Sequence, residues 1–319
     1  MQILDRIEDF QKEIGEYVIT IGNFDGVHRG HQTVLKKVKS LAEPDKKSIV
    51  ITFSNHPSEI LRPEQTTPLL CSLSHRIQLI EQSKIDFLIC IPFTKQFAKQ
   101  SAESFIEKLK THIPFSHMVL GYDATIGNHR RGNRNNLKQI AMEWGFEITY
   151  VEEYRYEGHP VSSTRIREAV KLGDFSTVES LLNRPYSIKS KVIKGANLGK
   201  NIGFPTANLN VDGICLPPLG VYAVDVVKNG AKVPGIANLG VAPTIRSDGA
   251  PLLEVHLFGD PEQDFYEETL EVVFKEFIRE ERKFVDVESL KEQISSDILY
   301  AKAECIEETK ENKNPRIPV

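Results

Sequence analysis

The residues best suited to chemistry stand in one short run, Ile21-Gly-Asn-Phe-Asp-Gly-Val-His-Arg-Gly-His31, which places two imidazoles, His28 and His31, three residues apart. Tyr17–Ile21 ahead of it reads as a strand and Gln32–Leu41 behind it as a helix, with Gly26 and Gly30 keeping the turn compact. Such a junction exposes helical N–H groups and the positive end of the helix dipole, and so suits a phosphate. Two imidazoles add donors beside a phosphate whose charge grows during nucleotidyl transfer. A lone histidine at a helix start more often only caps the backbone; the flanking Gly-Asn-Phe-Asp-Gly and Gly-His context favours the chemical reading here.

Two more clusters carry donors for phosphate. In Val161-Ser-Ser-Thr-Arg-Ile-Arg167, Ser163 and Thr164 offer hydroxyls and N–H groups, and Arg165 or Arg167 offers a bidentate fork. The plain alternative is a Ser/Thr helix cap beside a solvated arginine. Gly195-Ala-Asn-Leu-Gly-Lys-Asn-Ile-Gly-Phe-Pro-Thr-Ala-Asn208 is a glycine-rich loop that permits close backbone approach to phosphates. Such a loop alone is more often only a turn. In Leu252-Leu-Glu-Val-His-Leu-Phe258, strand alternation puts Leu253, Val255 and Leu257 on one face and Glu254 and His256 on the other.

The elements that hold these residues change character along the chain. Strand-like runs (Tyr17–Ile21, Ser48–Phe53, Phe87–Ile91, His117–Gly121, Glu147–Val151) alternate with helix-like segments near Gln32–Leu41, His75–Gln82, Ala102–Lys110 and Asn135–Trp144. This rhythm predicts a parallel sheet covered by helices, with ligands at the carboxyl ends of the strands. Thr164–Leu172 and Phe175–Leu182 read as two further helices broken at Gly173-Asp174. After Asn183-Arg184-Pro185, short alternating segments between Gly, Pro, Asn and Asp clusters predict a compact antiparallel barrel. Leu290, Ile294, Ile298 and Cys305 form one helical stripe after a cap at Asp286, and a charged tail, 307–319, is expected to be loose. The expected division is 1–184, 185–306 and that tail.

At 319 residues two domains are the prior, and a 40% hydrophobic, 26% charged composition is that of an ordinary soluble globular protein. Lys plus Arg (40) nearly balance Asp plus Glu (44), which argues against a general nucleic-acid surface. No apolar run suits a membrane span, the N-terminus lacks a secretory plan, and Cys71, Cys90, Cys215 and Cys305 are scattered. A cytoplasmic protein with small-molecule partners and no nucleic acid or membrane is the expectation; no oligomeric state is specified.

Taken in order, these motifs resemble the prokaryotic bifunctional riboflavin kinase/FAD synthetases over nearly the whole chain. The resemblance implies an α/β fold: an N-terminal Rossmann-like nucleotidyltransferase domain with a parallel sheet, then a C-terminal antiparallel riboflavin-kinase-like β-barrel with a terminal helix. It implies FAD synthesis from FMN and ATP with release of pyrophosphate, and phosphorylation of riboflavin to FMN, with ATP as co-substrate and Mg²⁺ as cofactor. By the family's pattern His28, His31, Ser163, Thr164 and Arg167 serve adenylyl transfer, with Gly22, Asn23, Phe24, Gly30 and Arg165 at the ATP. Phe53-Ser-Asn-His-Pro57 matches a Phe-x-Pro-His-Pro loop except at Asn55, which implies flavin contacts for His56 and Pro57. Gly121-Tyr-Asp-Ala-Thr-Ile-Gly127 keeps Asp123 as a flavin contact but replaces two phenylalanines by Ala124 and Ile126.

In the second half the resemblance implies ATP contacts for Gly195, Gly199, Lys200, Gly203 and Pro205, Mg²⁺ ligation by Thr206 and Asn208, a general base at Glu254, and a flavin contact at Arg279. Lys200 stands where the family has arginine, and Tyr266 is followed by Glu267 and Glu268 in place of Gly-Lys. These departures leave a monofunctional FMN adenylyltransferase with a weak or silent kinase-like domain as the alternative. Two other classes are a cytidylyltransferase, which shares the histidines but has no need of Pro205–Asn208 or Glu254, and a flavin-binding regulator that turns over no ATP.

Overall fold

The computed structural model describes residues 1–128, 131–195, 199, 202–228, 230–241, 249–259, 265 and 268–311, with side chains through 303. The chain forms two compact units, Met1–Ile166 with Leu181–Asn183, and Arg167–Ser180 with Arg184–Val319.

In the first unit the order is β1 (Gln2–Leu4), β2 (Tyr17–Ile21), α1 (Arg29–Ala42), β3 (Lys47–Phe53), α2 (Pro57–Leu61), α3 (Leu73–Glu81), β4 (Phe87–Ile91), α4 (Lys95–Ala98), α5 (Ala102–His112), β5 (Phe115–Gly121), α6 (Arg134–Trp144) and β6 (Glu147–Val151). The hairpin β7 (Arg155–Tyr156) and β8 (His159–Pro160) leads into α7 (Ser163–Leu172), followed by α8 (Phe175–Leu182). Strands β2 to β4 read as nearly unbroken apolar runs because both faces are covered. Ile19, Ile49, Ile51 and Ile89 pack toward α5 and α6, while Val18, Val50, Leu88 and Val119 pack toward α1 and α3. The sheet order is β1-β4-β3-β2-β5-β6, all parallel. The chain winds outward from β2 through β3 to β4, then restarts at β5. The carboxyl ends of β2 and β5 are therefore the switch point where such sheets open a ligand crevice.

The sequence missed β1. It is a three-residue edge strand with two exposed residues and no alternation to detect. The expected boundary is 184/185; the compact units divide at Asn183/Arg184, and Arg167–Ser180 groups with the barrel. The reason is aromatic: the Phe175 ring stacks on Tyr186 at 6.5 Å and on Phe274 at 5.7 Å.

The second unit is a closed antiparallel barrel of six strands: β9 (Ser187–Ile193), β10 (Ala207–Asn210), β11 (Gly220–Lys228), β12 (Ala231–Val241), β13 (Pro251–Leu257) and β14 (Thr269–Arg279), in the order β10-β13-β12-β11-β14-β9. Its interior holds one side of each strand, such as Leu253, Val255 and Leu257 of β13, all at most 1% exposed. Helix α9 (Val287–Glu311) packs against β11, β12 and β14, and Asp286 caps it by accepting from the Ser289 N–H at 2.8 Å. The helix continues to Glu311, so the first residues of the expected tail are helical.

Candidate active sites

The first site grows from the turn after β2. Gly22 donates its N–H to the Ile51 carbonyl at 3.1 Å, extending the pairing to the last residue before the turn. Phe24 and Val27 then adopt positive φ (50° and 40°), a conformation that costs about 1–3 kcal/mol for such residues and often marks functional turns. Surrounding contacts hold them there. The Asp25 carboxylate, buried, accepts from the Leu70 N–H at 2.9 and 3.1 Å. Gly26 (φ 76°) has Leu70 so close that a Cβ would meet its Cδ1 at 2.8 Å.

His28 is the N-cap of α1: its Nδ1 accepts from the His31 N–H at 3.3 Å. An accepting Nδ1 leaves the ring proton on Nε2, which becomes a donor. The His28 and His31 rings stack at 3.6 Å with an 18° tilt, and Phe24 meets His31 edge-on at 5.2 Å. Phe24 was expected at the ATP, but its ring is 2% exposed, so it supports His31 from beneath. Burial first, then the neighbouring His28 and Arg76, hold the His31 imidazole well below the usual histidine range. Its buried Nδ1 has no hydrogen-bond partner among the described residues. A Cβ at Gly30 would sit 3.2 Å from the His28 ring and 3.6 Å from the Val161 carbonyl, so glycine lets the 161–164 segment approach the histidines. There the Ser163 hydroxyl donates to the Asp25 carbonyl at 3.1 Å, tying the two phosphate-suited clusters together.

The remaining expected residues of this half divide. Thr164 is exposed at the start of α7, and Arg167 lies further along α7 in the second compact unit. Arg165 is engaged elsewhere: its Nη1 donates to the Tyr156 and His159 carbonyls at 3.2 and 3.4 Å, so it braces the β7–β8 hairpin. His56 caps α2, with Nδ1 accepting from the Ser58 N–H at 3.1 Å, and Pro57 is the first residue of that helix. Asn55, standing where the family has proline, forms a reciprocal pair with the Phe93 backbone at 3.1 and 2.8 Å, fastening this loop to the segment after β4. Asp123 is exposed. Ala124 packs against the same core as Phe93 and Phe97, half-buried rings joined to Phe53 at 5.2 and 5.4 Å. Sequence reasoning missed these two rings, which bring aromatic surface to a site where two expected phenylalanines are absent.

The second site lies on one row of the barrel. Asn208 of β10 and Asn238 of β12 both stand directly across from Glu254 of β13. Continuing the row, Asn238 faces Val221, and Val221 faces Arg279. Burial raises the Glu254 carboxyl above the usual carboxylate range; a hydrogen bond from Asn238 opposes this and the Glu281 charge adds to it. The His256 ring pairs with the Pro205 carbonyl at 2.8 Å, and because a carbonyl only accepts, Nδ1 carries the proton. The Arg279 guanidinium forks onto Asp297 of α9, at 3.0–3.1 Å from Nε and 2.7 Å from Nη2, with Asp297 3% exposed. Thr206, Asn238, Glu254 and Arg279 all line a cavity of about 350 Å³ under α9.

Two glycines of the loop are there for space. A Cβ on Gly195 would lie 2.2 Å from Asn208 Nδ2, and one on Gly199 would lie 2.3 Å from the Phe204 carbonyl and 3.2 Å from Thr206 Oγ1. Gly203 has φ 94° in open space. Asn208 Oδ1 of β10 is buried with no partner among the described residues, and Thr206 just before that strand offers a hydroxyl; oxygens of this kind suit a hard cation. Lys200, Tyr266 and Glu267 lie outside the described residues; Glu268 pairs with Lys228 at 3.0 Å.

A parallel-sheet unit with stacked imidazoles at its switch point precedes a barrel in which a glycine-bounded asparagine stands across from a half-buried glutamate, two arrangements suited to phosphates. The family model for FAD synthetase matches residues 10–165, and that for riboflavin kinase matches 182–305. A bifunctional riboflavin kinase/FMN adenylyltransferase of Haemophilus influenzae is 38% identical over 306 residues, 95% of this chain and 99% of that one. The protein of the same description from Pseudomonas fluorescens is 35% identical over 305 residues, covering 95% and 97%. A crystal structure described as a macrolide-efflux protein from Streptococcus pneumoniae shares the fold over 94% of this chain and 98% of its own, with 28% identity and a TM-score of 0.78. Among the described residues no helix is long and apolar enough to cross a membrane. The chain belongs to the bifunctional riboflavin kinase/FAD synthetase family.

Proposed function

We propose that this chain converts riboflavin to FMN in its barrel unit and FMN to FAD in its parallel-sheet unit, using ATP in both. In the FAD-forming step an FMN phosphate oxygen bonds to the α-phosphorus of ATP while the bond to the bridging oxygen breaks, and pyrophosphate leaves with that electron pair. No protein nucleophile is needed, so the work is alignment and charge stabilisation. His28 Nε2–H donates to the phosphates, and the stack holds His31 beside it. Asn23 and Ser163 shape the cradle, and Thr164 assists the departing pyrophosphate. An anionic triphosphate favours the protonated imidazole, offsetting the burial that keeps His31 neutral in the free protein.

In the kinase step the ribityl 5′-hydroxyl oxygen attacks the γ-phosphorus, its proton passes to Glu254, and ADP leaves. Asn238 orients that carboxylate, and burial makes it a stronger base than an exposed one. Arg279, locked by Asp297, borders the cavity that takes the flavin. Thr206 and Asn208 would supply oxygens for Mg²⁺, and the ion would neutralise charge on the phosphates. The reading places the protein in the cytoplasm with small-molecule partners.

The observation that carries the reading is the stacked His28–His31 pair at the sheet's switch point, tied through Asp25 to Ser163. The test is chromatographic separation of flavins after incubation with ATP and Mg²⁺, started separately from riboflavin and from FMN. Riboflavin is expected to give both FMN and FAD. No FAD from FMN refutes the first assignment; FAD from FMN without FMN from riboflavin leaves a single-activity adenylyltransferase.

A further inference from the structure

The largest fully buried side chain among the described residues is a cation that neither site, as described above, uses. Arg76, on the inner stripe of α3 with Leu79 and Ile80, is 2% exposed. Its Nη1 donates to the Asn23 carbonyl at 2.8 Å and to Asn23 Oδ1 at 3.2 Å, and its Nη2 donates to the Phe53 carbonyl at 2.6 Å. Asn23 ends the run after β2 and Phe53 ends β3, so one guanidinium spans the carboxyl ends of two neighbouring strands at the edge of the crevice. Thr52 Oγ1 donates to the same Asn23 carbonyl at 3.2 Å.

Each of these acceptors is a neutral oxygen, and the buried Arg76 Nε has no partner among the described residues. A desolvated guanidinium satisfied only by carbonyls is costly in a low dielectric, and an arginine serving structure alone is usually paired with a carboxylate. Its field also reaches the imidazoles: Arg76 is among the causes that hold His31 neutral, together with burial and His28, the other titratable group facing that ring.

We propose that Arg76 is a positioning residue of the FAD-forming site: a hidden cation that locks Asn23 and Phe53 in place and whose charge is balanced when a nucleoside triphosphate binds in front of them. The inference rests on the FMN-adenylylation reading and deepens it. Arginine outperforms lysine in holding two carbonyl edges at once, but the charge is common to both. Shape and charge can therefore be separated.

The experiment compares the full chain with Arg76→Gln and Arg76→Lys by calorimetric titration with ATP in the presence of Mg²⁺, by FAD formation from supplied FMN, and by NMR titration of the His31 imidazole. Arg76→Gln is expected to weaken ATP binding at least about tenfold, and Arg76→Lys to stay within about threefold, as expected when a buried charge is the determinant. The His31 imidazole is expected to titrate at higher pH in the Gln variant, where a positive neighbour is gone, and to be unmoved in the Lys variant. Riboflavin phosphorylation is expected to be unchanged in both. Parental ATP affinity in Arg76→Gln overturns the proposal, as does an equal loss in both variants with His31 unmoved, which assigns Arg76 to shape alone. Where Arg76→Gln does not fold, Arg76→Lys decides: a tenfold loss of ATP affinity in a folded Lys protein overturns the proposal. A parent protein that makes no FAD from FMN refutes the underlying reading instead.

Discussion

Gly195→Ala is the sharpest perturbation available, because its effect is purely steric. The Gly195 φ lies outside the left-handed region, so alanine brings no backbone strain, only a methyl group. That methyl would stand 2.2 Å from Asn208 Nδ2 and 2.7 Å from its Cγ, where ordinary contact begins near 3.4 Å, a shortfall of about 1.2 Å. Asn208 cannot yield by swinging into solvent, since it is 6% exposed and its backbone is paired with Ile193 on one side and Glu254 on the other. The amide must move by about an ångström, carrying Oδ1 with it, and displacements of that size in a phosphoryl-transfer site cost on the order of a hundredfold in rate, or about 2.7 kcal/mol. We expect FMN formation from riboflavin to fall by about that factor while FAD formation from supplied FMN, carried by the other unit, keeps its parental rate. Gly213→Ala is the control: its Cβ meets nothing within 4 Å, but its φ of 70° strains any side chain. It is expected to lower the unfolding temperature and leave riboflavin phosphorylation within about threefold of the parent. Parental FMN formation by folded Gly195→Ala refutes the placement of Asn208 in the reaction.

Glu254→Gln is expected to abolish most riboflavin phosphorylation and spare FAD formation from FMN. Because burial raises the Glu254 carboxyl, the acid limb of kcat/KM for riboflavin lies above the ordinary glutamate value of about 4.3, and Glu281→Gln moves that limb downward by removing a like charge. The same sign governs stability. A carboxyl raised in the fold stabilises it below the unfolded value and loses that contribution as pH rises through the folded one, so at pH 8 Glu254→Gln has an equal or higher Tm, read by calorimetry. His31, lowered in the free protein, takes up a proton when the triphosphate binds, so the KM for ATP in FAD formation falls from pH 8 to pH 6 and His31→Gln loses that trend. Arg279→Met leaves Asp297 buried and uncompensated, a cost of about 3–5 kcal/mol seen in thermal unfolding, and Arg279→Met/Asp297→Leu recovers most of it.

The parts of the molecule written in local patterns were legible. Apolar runs gave β2, β4 and β6 at their observed bounds, and the glycine-flanked histidines marked the switch point because both chemistry and turn geometry are encoded within eleven residues. Period-two alternation put Glu254 on the outer face of its strand. What it cannot supply is the partner across the strand, so the row Asn208–Glu254–Asn238 emerges only from barrel register. Arg76 was missed for a related reason: a charged residue on a helix reads as solvated, though its spacing with Leu79 and Ile80 puts it on the buried stripe of α3. Arg165 shows the converse: its motif suggests a phosphate fork, and in the fold the hairpin just before α7 offers its guanidinium two carbonyls. Phe93 and Phe97 belong to no motif and enter through packing alone.

One physical device recurs in both units. Each site holds polar groups at a cost: the buried Nδ1 of a neutral His31, the Arg76 Nε and the Asn208 Oδ1, which have no partner among the described residues, and a Glu254 carboxyl raised by burial. Each of these costs stability in the free protein, and positive φ at Phe24 and Val27 adds to the cost in the first unit. None of the costs stabilises the fold, but each is relieved by a phosphate, a cation or a hydroxyl proton in the position that the chemistry requires. Binding energy realised that way is directed to the reacting groups rather than spread over the ligand, which raises turnover rather than affinity alone. It follows that ATP and flavin stabilise the two units more than their contact area implies, and that substitutions relieving the strain, Glu254→Gln foremost, exchange catalysis for stability.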